Sequence, residues 1–85
     1  MEEGEGVLSR GAYVSTGKDL PTRSDIREVS CWYLSGDMER KFGSTLATLD
    51  EIWEEVTEPV GLSREETISL LNSCRMRGYI RGGLV

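Results

Sequence analysis

The stretch G-L-S-R-E-E-T-I-S-L-L-N-S-C-R-M-R-G-Y-I, residues 61–80, decides how the chain folds. Ser63 followed three residues later by Glu66 is a capping box, in which each side chain satisfies a backbone N–H left open at a helix start. At 100° per residue, Thr67, Leu70, Leu71 and Cys74 share one face and form an inward stripe. Gly78 is placed to stop the helix. Tyr79-Ile80-Arg81 then reads as a short strand, Gly82-Gly83 as a tight turn, and Leu84-Val85 as the start of a returning strand.

Upstream, Thr48 and Glu51 form a second capping box, with Leu49, Ile52, Trp53 and Val56 as its inward stripe and Asp50, Glu51, Glu54 and Glu55 facing water. Pro59 ends that helix, because the residue before a proline avoids helical geometry. Residues 44–47 read as a short extended piece. An earlier helix opens at P-T-R-S-D, residues 21–25, with Thr22 as cap and Asp25 favourably placed in the field of the helix N-terminus. Ile26, Val29, Tyr33 and Leu34 recur at helical spacing there, and Cys31 and Trp32 widen the apolar surface. Gly36 weakens this helix, so residues 37–42 read as one more turn or as a loop before Gly43. Residues 1–20 hold four glycines among small and charged residues and read as a mobile arm. Val7-Leu8 and Ala12-Tyr13-Val14 are its apolar spots, either of which could pair as an edge strand.

The chain has 85 residues, room for one domain with a compact core, since domains of this size bury only about 60% of their unfolded surface. A hydrophobic share of 38% with 29% charged residues is that of a globular chain. Fifteen acids against ten bases give a net charge of −5, which argues against non-specific polyanion binding by the whole surface but not against a local basic patch. Residues 50–66 carry seven acids and one arginine, net −6, whereas residues 72–85 carry three arginines and no acid. The domain is therefore expected to be dipolar. With two cysteines and no histidine, neither a disulfide scaffold nor a usual zinc spacing is present, and Cys31 and Cys74 read as small core fillers in a reducing, cytoplasmic compartment. The acidic, glycine-rich start is no signal or transit peptide, and no apolar run reaches the ~18 residues of a membrane span. No cofactor motif is present: G-E-G-V-L-S-R-G is not a phosphate-binding glycine loop. A serine or cysteine without a base is no nucleophile site, so no catalytic residue is assigned.

The order helix, short strand, helix, turn, helix, strand and glycine turn, carried by T-L-D-E-I-W-E-E-V at residues 48–56 and by residues 61–80, resembles the winged helix-turn-helix family over residues 24–85. The resemblance implies a mainly α domain with a small β wing, residues 21–85, behind an N-terminal arm of residues 1–20. Within it, the first block would be the positioning helix, the second the recognition helix, and G-Y-I the entry to the wing. Two departures stand out: the connection over residues 57–60 is longer than the usual tight turn, and the wing is short. The expected core is Ile26, Val29, Tyr33, Leu49, Ile52, Val56, Leu62, Leu71, Cys74 and Ile80.

The function implied is binding of double-stranded DNA as a transcription regulator, with a homodimer expected from size. In such a helix the outward face meets base edges. Here that face holds Glu65, Ser69, Asn72, Ser73 and Met76, with Glu66 beside it as the capping-box acid. Arg64, Ser69 and Asn72 are the candidates to read or position, asparagine pairing well with adenine. Arg75, Arg77 and Arg81 are the candidates to hold phosphates, although Arg75 and Arg77 also suit a helix C-terminus as plain surface cations. The alternative is a protein-interaction module on the same fold, gripping a protein partner through Ile68, Met76, Trp32 and Trp53.

Overall fold

The computed structural model describes residues 11–83. The order is strand β1 (Ala12–Ser15), helix α1 (Ile26–Phe42), strand β2 (Ala47–Thr48), helix α2 (Leu49–Ile52), helix α3 (Arg64–Met76) and strand β3 (Ile80–Gly83). The domain is mainly α with one small antiparallel sheet, the winged-helix-like class expected.

The sheet is assembled differently from the expectation. β1 lies in its middle, antiparallel to both neighbours, with Tyr13 opposite Ala47 on one side and Val14 opposite Arg81 on the other. The part of the supposed arm that is described is thus the central strand, and Tyr13 is a core residue. Residues 1–10 of that arm, and the expected returning strand Leu84-Val85, lie outside the described residues. Gly82 is no turn residue. It continues β3 at φ +127°, and a Cβ there would sit 2.0 Å from the Ala12 carbonyl oxygen. Only glycine lets β3 lie this close to β1.

β1 then runs on to clasp the end of α3. The Thr16 N–H donates to the Tyr79 carbonyl at 3.0 Å, and its hydroxyl donates to Gly78 O at 2.7 Å. Lys18 Nζ donates to Arg77 O at 2.8 Å and lies 4.6 Å over the Tyr79 ring. A cation at the carbonyl end of α3 meets the negative pole of the helix.

Asp25, not Thr22, caps α1, its carboxylate accepting the Glu28 N–H at 2.9 Å. This backbone hydrogen bond is the main reason that the Asp25 carboxyl is held below the usual carboxylate range. α1 passes through Gly36 to Phe42, so residues 37–42 are helix rather than loop. Its phase also differs. Cys31, Leu34, Ser35 and Met38 face the core, while Ile26 is 76% and Tyr33 61% exposed. Both cysteines are buried and joined as a disulfide between α1 and α3, with Cα atoms 5.2 Å apart. The expectation of two reduced fillers is replaced by a covalent bond between helices. The core is otherwise Tyr13, Leu34, Met38, Ala47, Leu49, Ile52, Val56, Leu71, Tyr79 and Ile80, with Phe42, Ile68 and Leu70 packed against it, while Leu62, expected in the core, is only partly buried.

After α2 the chain widens into a π turn, Trp53–Thr57, and tightens into a 3-10 turn, Glu58–Val60. Pro59 has no N–H to continue the regular ladder, and the preceding Glu58 N–H reaches back to Trp53 O instead. Two contacts weld this connection to α3. Trp53 Nε1 donates to Leu62 O at 3.1 Å. The buried Thr57 and Thr67 hydroxyls meet at 2.6 Å. Thr67 has Ser63 O as a further acceptor at 2.8 Å and Thr57 has Trp53 O only at 3.5 Å, so the shorter pair leaves Thr57 as the donor between them.

Candidate nucleic-acid interface

α3 is built as its sequence indicates. Ser63 and Glu66 form the capping box, with Ser63 N–H donating to Glu66 at 2.8 Å and Glu66 N–H to Ser63 Oγ at 3.1 Å. Thr67, Leu71 and Cys74 are buried, so the opposite face, with Glu65, Ser69, Asn72 and Met76, looks away from the core. Met76 is 84% exposed. Ser69 also borders a groove of about 370 Å³ between α1 and α3, shared with Ser73, Ile26 and Arg27.

The four candidate arginines divide into two kinds. Arg64 Nε donates to Asp50 at 2.9 Å, which ties the start of α3 to the start of α2. Arg77 pairs with Glu28 at 3.4 Å and also donates to Ser73 Oγ at 3.4 Å. Arg75 and Arg81 are exposed and make no ion pair among the described residues. Burial pushes the Tyr13 phenol up, and the positive charge of Arg75 opposes that shift. Arg81 stands opposite Val14 on the face of the sheet away from the buried Tyr13, since successive strand residues point to opposite faces, so the two arginines are not brought together.

Glu28 holds a second group. Its Oε1 accepts the hydroxyl proton of the fully buried Tyr79 at 2.5 Å. Burial, then this hydrogen bond and the negative charge of Glu28, push the Tyr79 phenol up to about 12. Glu28 and Arg77 each lie one helical turn from Cys31 and Cys74, so ion pair, phenol and disulfide form one seam between α1 and α3. This network was not found from sequence, because nothing local links residue 28 to residues 77 and 79.

The residues of the alternative reading are scattered. Trp53 serves the turn after α2, and Ile68 packs against the core. Trp32 stands on α1, 39% exposed, edge-on to Tyr33 with ring centroids 5.3 Å apart. Among the described residues no group of acids and cysteines is placed to hold a metal ion, and no helix is long and apolar enough to cross a membrane. Comparison with protein-family models, with curated proteins and with solved structures gives no match.

Proposed function

We propose that this protein binds double-stranded DNA through α3 and acts as a transcription regulator. The observation that carries the reading is the outward face of α3, where the exposed Ser69 and half-buried Asn72 lie opposite the buried stripe. Arg75, one turn on, is exposed and without an ion pair among the described residues, as is Arg81 on β3. Hydroxyl and amide groups on such a face suit base edges, and the arginines suit phosphates. Arg64 and Arg77 serve the fold first, which leaves Arg75 and Arg81 as the two candidate arginines without an ion pair among the described residues. Each neutralised phosphate contributes about −0.9 to the slope of log affinity against log salt, so one copy should show a slope near −2. Such binding is weak for a single copy and gains from two.

Fluorescence anisotropy with a labelled duplex across a salt series tests this. Arg75→Ala with Arg81→Ala should flatten the slope to near zero, and Asn72→Ala should change the preference among duplexes. An unchanged slope in the double variant removes the proposal.

Met76 supports the second reading, a protein-interaction module, because a methionine 84% exposed on the same face favours apolar contact over groove entry. Met76→Glu would then abolish capture of a protein partner with no effect on a duplex. A cytoplasmic location belongs to the DNA proposal. The Cys31–Cys74 bond removes the separate argument from reduced cysteines.

A further inference from the structure

α1 carries two apolar stripes, and only one is used by the core. Cys31, Leu34 and Met38 point inward, with Phe42 partly buried beyond them. Ile26, Val29, Trp32 and Tyr33 recur at helical spacing on the other side, with Ile26 76%, Trp32 39% and Tyr33 61% exposed. Gly36 continues this outer stripe one turn beyond Tyr33. A Cβ at Gly36 would meet only the Arg40 guanidinium, at 3.6 Å, so the backbone there is open. It lies in a notch of about 270 Å³ bounded by Trp32, Tyr33, Arg40 and the loop at Lys18.

We propose that this stripe is covered by the same stripe of a second copy, the two α1 helices packing antiparallel about a two-fold axis between Trp32 and Tyr33. Charge and shape agree on this occupant. The stripe is bounded at its start by Asp25 and toward its end by Arg40. The antiparallel register that sets Asp25 opposite Arg40 of the second copy also sets Val29 opposite the second copy's Gly36, where a side chain is missing to receive it. It places the two aromatic pairs together at the axis. Every contact occurs twice, as a two-fold interface requires, and the antiparallel helix dipoles favour it. Asp25 gives one carboxylate oxygen to its own helix cap, leaving the other for the second copy. Among the described residues Arg40 pairs with Asp37 on the exposed side of its own helix, a pairing that costs little to exchange. Aromatic side chains at the centre of such a patch are the usual anchors of an interface.

This inference stands apart from the DNA proposal and is tested without nucleic acid. Sedimentation equilibrium of the full chain should give a reversible dimer. Tyr33→Asp, at an exposed position, should weaken it by about a hundredfold or more, within the range of an interface anchor. Gly36→Leu should also weaken it by filling the notch, although leucine suits a helix better than glycine. Arg40→Glu, which sets like charges at both ends, should weaken it as well, with the helical circular dichroism of all three variants retained. A chain that stays monomeric throughout the micromolar range overturns the proposal. So does a dimer that folded Tyr33→Asp and Gly36→Leu leave intact.

Discussion

Removing the Cys31–Cys74 bond should destabilise this domain more than any other single covalent change. The bond joins residues 43 apart in sequence and ties α1 to α3 across the core. Closing a loop of that length removes chain entropy from the unfolded state corresponding to about 4 kcal/mol at 25 °C. For 85 residues, total stability is expected at roughly 4–13 kcal/mol, so the bond supplies a third of it or more. A loss of 1 kcal/mol lowers the midpoint by about 4–8 °C in a domain of this size, which puts the expected fall at about 15–30 °C. Cys31→Ala with Cys74→Ala, compared with the oxidised chain and with the chain in excess dithiol, gives the measurement by thermal circular dichroism. Intact mass first establishes that the oxidised chain lacks two hydrogens relative to the reduced one. The Cys→Ala pair also removes two buried sulfurs, so reduction without mutation isolates the effect of the bond. A midpoint that moves by only a few degrees on reduction would refute the reasoning and return both cysteines to the role of small core fillers.

Other consequences concern single side chains. Gly82→Ala forces a Cβ against the Ala12 carbonyl at a positive φ and should cost at least about 2 kcal/mol in urea unfolding, with loss of the β1–β3 pairing. Wild-type cost near zero would mean that β3 is not seated as described. Tyr79 titrates from an ordinary value of 10.0 in the unfolded chain to about 12 in the folded one. Its raised value means that its contribution is complete below pH 10 and is lost as pH climbs from about 10 to about 12. Tyr79→Phe should therefore be less sensitive to alkali than wild type across that window, and parallel curves for the two would count against the Glu28–Tyr79 contact. Glu65→Lys exchanges an exposed acid for a base on the outward face of α3 and should tighten duplex binding while steepening its salt slope by about one phosphate. An unchanged affinity would place the DNA elsewhere.

Features set by near neighbours were legible in the sequence. Both capping boxes, Thr48 with Glu51 and Ser63 with Glu66, are local pairs three residues apart, and both form as read. The buried face of α3 followed from periodicity alone. The phase of α1 did not, because its outer stripe from Ile26 to Tyr33 satisfies helical spacing as well as the inner one does. The inner stripe prevails because it continues to Met38 and Phe42 and because Cys31 is bonded to Cys74. β1 was harder still. Ala12-Tyr13-Val14 gains its strand identity from partners at residues 47–48 and 80–83, so its apolar spots suggested at most an edge. For the candidate interface, the outward face of α3 could be read, but not which arginines are free. Arg64 is matched by an acid 14 residues away and Arg77 by one 49 residues away, distances over which pattern carries no information.

The proposal that α3 meets DNA is tested most directly by following backbone amide shifts of the labelled protein as a random duplex is added at low salt. Binding as proposed moves Ser69, Asn72, Arg75 and Arg81 together and leaves Trp32 and Tyr33 on α1 still, with the shifts reversing as salt is raised. Amides of α3 and β3 that do not respond would contradict it, as would movement confined to α1.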